Sequence, residues 1–273
     1  EVMSKSAVKV ASVVVPGTTS SLLAKATEHS GMGVSQAAED NLIPLVRILQ
    51  SNSPQIDRRN PAYIEGSKPG DIMMRNTTTP IVDGDTGVRV VPVLWFKEWV
   101  EWVPREQGGG IAGRHPERPS NAFQKPHPEN PDRMIWALPN GNELVETRNV
   151  VVMVNGVPFN IPMTGTNHTA AKAWETLKNQ QRVPSGLDAD GKPTGLTSVL
   201  APAWAYSYRL KTLYRSRSVN NWYSWQADMP EWHNDEALFD AALALYESFS
   251  RGEKTVEIDE ASVGKEADSE IPF

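Results

Sequence analysis

Between Trp204 and Trp225 the chain reads WAYSYRLKTLYRSRSVNNWYSW, its densest concentration of cations and aromatic rings. In an extended strand successive side chains alternate between faces. Trp204, Tyr206, Tyr208, Leu210 and Tyr214 then share one face, and Arg209, Lys211, Arg215 and Arg217 share the other, with Trp222 and Trp225 following. Guanidinium and ammonium groups neutralise phosphates while aromatic rings stack on any base, which is the chemistry of sequence-tolerant single-strand binding. The competing reading makes the aromatic face plain core and the cations a solvated edge.

A second supply of cations lies between Arg105 and Arg133: Arg105, Arg114, Arg118, Lys125 and Arg133. Prolines at 116, 119, 126, 128 and 131 and the run Gly108-Gly109-Gly110 mark this stretch as a long loop, the kind that carries function or stays disordered. The glycine run lacks the Lys-Ser/Thr of a phosphate-binding P-loop. His29, His115, His127, His168 and His233 show no metal-ligand spacing, and neither HExxH nor GxSxG occurs. Asp83 and Asp85 sit in an Asp-Gly-Asp turn that they are expected to shape. The expectation is a non-enzymatic protein without cofactor or metal.

Residues 253–273 (EKTVEIDEASVGKEADSEIPF) hold seven acids and two lysines, a net charge of -5, with few apolar residues before Ile271-Pro272-Phe273. Such a segment buries too little surface to offset its ordering entropy and reads as a disordered acidic tail. Taking its seven acids and two bases from the chain's 33 and 27 leaves a body at -1, near neutral and able to hold a basic face. Cysteine is absent, which removes disulfides and thiolate metal sites and suits a reducing compartment. The apolar run Val8 to Val15 is interrupted by Lys9 and too short to span a bilayer, so no membrane segment is expected.

The elements that must position these residues read as strands joined by hairpin turns. Residues 20–50 suggest two short helices, the second opened by Ser35 and kinked by Pro44. Residues 88–103 are apolar on both parities, as in a central or bent strand, and Pro92 signals a bulge or an edge. Met134–Leu138, Glu143–Val154 and Val157–Met163 alternate with Asn-Gly turns. A helix fits Asn167–Asn179, further strands fit Leu196–Tyr214 and Trp222–Trp225, and a last helix fits Asp235–Ser250 with Asn234 as its cap. This order predicts a mainly β fold with added helices: an OB-type Greek-key barrel with long loop insertions. Residues 1–252 would form one OB-like DNA-binding domain with an N-terminal helical extension, and 253–273 the tail.

The terminus Asp268-Ser-Glu-Ile-Pro-Phe resembles the C-terminal tip of bacterial single-stranded-DNA-binding proteins, and an OB barrel with an acidic tail ending in phenylalanine is similar in plan to the phage members of that class. Pro69-Gly70-Asp71, Val90 to Pro92, Trp95, Trp102 to Glu106 and Gly108 to Gly110 resemble a pattern of uncharacterised phage-encoded proteins. The resemblance implies a phage single-stranded-DNA-binding protein of replication or recombination, acting in the cytoplasm of the bacterial host. Asp268, Glu270, Ile271, Pro272 and Phe273 would recruit replication or repair proteins, and a homodimer is possible. The DNA contacts would come from Arg105, Arg114, Lys125, Arg133, Trp204, Tyr206, Arg209, Lys211, Tyr214, Arg215, Arg217, Trp222 and Trp225. The alternative is a virion or assembly component with a solubilising tail.

Overall fold

The computed structural model describes residues 42–256 apart from 79, 129, 130, 193, 196, 218 and 219. The first expected N-terminal helix and the terminus Asp268 to Phe273 lie outside the described residues. The second expected helix does not form where it is described. Its place is taken by β1 (Leu42–Ile43) and β2 (Val46–Ile48). Leu42, Leu45, Val46 and Leu49 satisfy a helical period, but Pro44 breaks the ladder, and its carbonyl accepts from Asn160 N at 2.8 Å. Val46 and Ile48 then alternate inward around Arg47 in a three-stranded sheet with β3 (Ile72–Met74) and β4 (Ile81–Val82).

The strand that organises the body is β5 (Val88–Trp102). It is followed by β6 (Ile111–His115), β7 (Phe123–Pro126) and β8 (Met134–Ala137), so the expected long loop carries two short strands. Next come β9 (Glu143–Val154), β10 (Val157–Met163) and helix α1 (Asn167–Asn179). An outlying pair, β11 (Arg182–Pro184) and β12 (Ser198–Leu200), precedes β13 (Tyr206–Arg217), β14 (Asn220–Ala227) and β15 (Glu231–Trp232). Helix α2 (Glu236–Ser250) and β16 (Thr255–Val256) close the described chain. The cap of α2 is Asp235, one residue beyond the expected Asn234, with its carboxylate accepting from Leu238 N. Thr255 and Val256, assigned above to the tail, pair in parallel with β1, and Val256 is buried.

Antiparallel pairing orders the main sheet β14-β13-β5-β9-β8-β7, with β10 on β9, β6 on β5 and β15 on β13. The doubly apolar pattern of β5 comes from a bulge. Pro92 faces Val152 and Leu94 faces Val151, leaving Val93 as the extra residue. An extra residue inverts parity downstream. Accordingly Val90 and Trp95 look into one core, with Val150, Val152, Phe159, Ile161, Tyr208 and the α1 residues Ala171 and Trp174. Val91, Val93, Leu94 and Phe96 look into the other, with Val151, Met153 and the α2 residues Ala242 and Leu245. One helix thus covers each face of the sheet.

Among the described residues the sheet does not close, so the protein is mainly β with two α-helices on a large antiparallel sheet, without the hydrogen-bonded closure expected of a barrel. Side chains occupy the edge of β14 that closure would use. The Gln50 amide donates to Tyr223 O at 2.9 Å and accepts from Tyr223 N at 2.8 Å, while Asn167 Oδ1 accepts from Trp225 N at 3.2 Å and Ser224 Oγ at 3.0 Å. Satisfied edge groups no longer recruit a strand. The turn before β5 is fastened to β13 just as closely. Thr212 N donates to Gly84 O at 3.0 Å, and a Cβ on Gly84 would come within 2.0 Å of Gly70 O, so only glycine fits.

Candidate nucleic-acid interface

The β13–β14 hairpin sets its outward face by register. Arg215 stands directly opposite Trp222, Lys211 opposite Gln226, and Arg209 opposite Arg89 of β5. A cation and an indole therefore meet side by side at the distal part of the hairpin, in a row with further cations. Two of these are partly neutralised: Lys211 pairs with Asp228 at 2.9 Å and Arg89 with Glu231 at 2.8 Å. Arg209 donates to Thr86 O at 3.3 Å. Among the described residues Arg209, Arg215 and Lys172 have no ion pair.

Arg215 and Trp222 also border a cleft of about 720 Å³ between β14 and the first turns of α1. Thr166, His168, Lys172 and Trp174 line the helix side, and Ser224 and Gln226 the strand side. Helix α1 begins without a side-chain cap at Thr166, and the side chain of its first residue, Asn167, is committed to the β14 edge. The first amides of a helix carry partial positive charge, adding to Lys172 and Arg215. Burial holds the His168 imidazole below its usual pKa, against its hydrogen bond to Glu146 O at 3.0 Å. Trp174, which lines the cleft, is backed edge-on by Trp95 at 5.3 Å and Tyr208 at 5.8 Å. Burial pushes the Tyr208 phenol up to about 12. The site can therefore attract anions and present one indole beside them. Among the described residues no three His, Asp or Glu side chains converge as a metal would require.

The remaining residues singled out in the sequence fall elsewhere. Tyr208 and Leu210 are core, and so is Trp225, only 4% exposed, whose ring cannot meet a base. Trp204 lies in a short 3-10 turn against Phe239 and Tyr246 of α2. Tyr206 is half-buried edge-on to Trp232. Tyr214 is 53% exposed on the opposite side of the hairpin from Arg215, edge-on to Tyr223 at 5.4 Å. Arg217 ends β13 opposite Asn220.

The loop cations belong to a different place. β13 pairs with Val88–Val90 and β6 with Trp99–Trp102, so register puts the two sets at opposite ends of β5. Arg105 opens a 3-10 turn, and Lys125 sits mid-β7 opposite Ile135. Arg114 makes a two-pronged bond to the buried Glu98 carboxylate at 2.8 and 2.9 Å and donates to Val256 O, clamping β16 to the sheet. Arg133 is half-buried, and burial lowers its pKa. Lys172 and His168, four residues apart on the helix and lining the cleft, were missed because only the folded position of α1 brings them beside Arg215.

Fold and site together define a class: a mainly β protein with a cationic-aromatic hairpin face, and among the described residues no helix long and apolar enough to cross a membrane. The chain belongs to the Pam3 phage gp34-like protein family, whose profile matches residues 16–255, and so stands among phage proteins. No curated protein and no solved structure matches it.

Proposed function

We propose that the protein binds single-stranded DNA without base-sequence specificity during phage replication or recombination. The observation that carries this reading is the juxtaposition of Arg215 and Trp222, with Arg209 and Lys211 in the same row and Lys172 across the cleft. Phosphate neutralisation beside a stacking ring is what single-strand binding needs. The finer fold reading has support in connectivity: β5, β9, β10, α1, β13 and β14 come in that order along the chain, with β6–β8 and β11–β12 inserted between them, and the strands lie in the order β10-β9-β5-β13-β14, an order compatible with an OB-type Greek key. The loop between the last two strands of such folds contacts ligand. Here the last two strands are β13 and β14. Helix α2 covers the outer face of β5 and β9, so contact is assigned to the hairpin. The acidic C-terminal residues, ending in Phe273, are the handle for replication or repair proteins in the host cytoplasm.

A competition titration tests the reading: labelled oligo-dT should be displaced by unlabelled single strands and far less by duplex of equal length. Equal displacement by duplex, or no binding at low salt, overturns it. One observation favours a second reading, assembly or subunit contact: the outlying β11–β12 pair exposes Val199 and Leu200 by about half. Two-stranded ribbons are marginally stable alone. A concentration-dependent mass in light scattering that single strands do not change would favour that reading.

A further inference from the structure

At the far end of β5 the Arg118 guanidinium carbon lies 3.7 Å from the centroid of the Trp136 ring and 5.6 Å from that of Trp99. The two indoles meet edge-on at 6.2 Å. Trp99 is buried, whereas Arg118 is exposed, so the guanidinium sits over the Trp136 ring with its surroundings open to solvent. Among the described residues no carboxylate pairs with it. Next to it is a cavity of about 530 Å³, lined by His115, Pro116, Glu117, Arg118, Asn121 and Leu138. That volume is within the range of small-ligand pockets, roughly 300–1,000 Å³. Its walls are held from behind: Glu101 accepts from Asn142 and Asn140 and bonds His115 Nε2 at 2.9 Å, tying β5, β6 and the β8–β9 turn together. These bonds, that of Asn142 foremost, hold the Glu101 carboxyl below its usual pKa.

We infer that Arg118 is a stacking platform for one unpaired base, a contact separate from the hairpin face. The inference rests on the single-strand reading above and extends it. A guanidinium already held over an indole has less rotamer freedom left to lose on stacking, and guanidinium planes stack on bases as aromatic rings do. Asn121 and His115 supply hydrogen-bonding groups on the cavity wall, and Glu117 disfavours a phosphate there, which leaves the base as the part of a nucleotide that fits.

The test compares the full-length protein with R118A and R118K on oligo-dT and on an oligomer of the same length with abasic sites throughout. R118K keeps the charge over Trp136 but loses the plane. Loss of one stacked base predicts that both variants bind oligo-dT roughly 5- to 150-fold more weakly. On the abasic oligomer R118K should match the unmodified protein, because phosphates and folding are unaffected. If R118K binds oligo-dT as well as the unmodified protein does, or loses equally on both ligands, Arg118 is a charge or a structural clip and the inference fails while the single-strand reading stands. If the unmodified protein binds neither oligomer, both fail.

Discussion

Arg215 and Trp222 become partners because the antiparallel pairing of β13 with β14 sets them in register; neither residue is distinctive alone. The same hairpin contains Trp225, three residues later, with its ring in the core beside Val152 and Trp174. The two tryptophans therefore predict opposite phenotypes. Trp225→Ala should destabilise the fold by about 3–5 kcal/mol, the cost of emptying a buried indole site, seen as a lower denaturant midpoint. Trp222→Ala should leave the midpoint within roughly 0.5 kcal/mol, as partly exposed positions do, yet weaken oligo-dT binding. Unfolding by Trp222→Ala with normal binding would mean that the ring is structural.

At the scale of elements, α1 seals the β14 edge through Asn167 and is pinned to β9 by His168. The depressed His168 pKa means the folded state holds fewer protons than the unfolded chain as pH drops below the ordinary histidine value of 6.5. The stability tied to neutral His168 is complete above that value and is lost as pH falls through the folded-state pKa. Unfolding midpoints measured from pH 7.5 to 5 should fall more for the unmodified protein than for His168→Gln; parallel curves would contradict this. The sequence made much of this layer legible. Strand alternation separated Tyr208 and Leu210 from Arg209 and Lys211, and Pro92 announced the bulge. It could not decide which aromatic residues were core, because Trp174 and Trp95 arrive from distant elements to cover Tyr208. Residues 42–49 misled for a related reason: Leu42, Leu45, Val46 and Leu49 match a helical stripe, and only pairing with β3 and β16 reveals two strands.

For the whole molecule, charge is divided between a nearly neutral body and an acidic terminus. Because Val256 is buried against β1, the acidic segment to remove is 257–273, which holds six acids and one lysine. A tethered polyanion competes with DNA at an effective concentration of about millimolar. Deleting 257–273 should tighten oligo-dT binding at low salt, with the difference shrinking as salt screens the segment; removing Phe273 alone should leave DNA affinity nearly unchanged and abolish capture of a replication partner. Unchanged affinity in the first case and unchanged capture in the second would reduce the terminus to a solubiliser. The claim on which the rest depends is that the outward face of the β13–β14 hairpin meets phosphates, and the salt dependence of oligo-dT affinity measures this most directly. With Arg209→Glu and Arg215→Glu combined, the slope of log affinity against log salt should fall by about one unit per lost contact, roughly two in all, at an unchanged unfolding midpoint. A folded double variant with the slope and affinity of the unmodified protein would contradict the account.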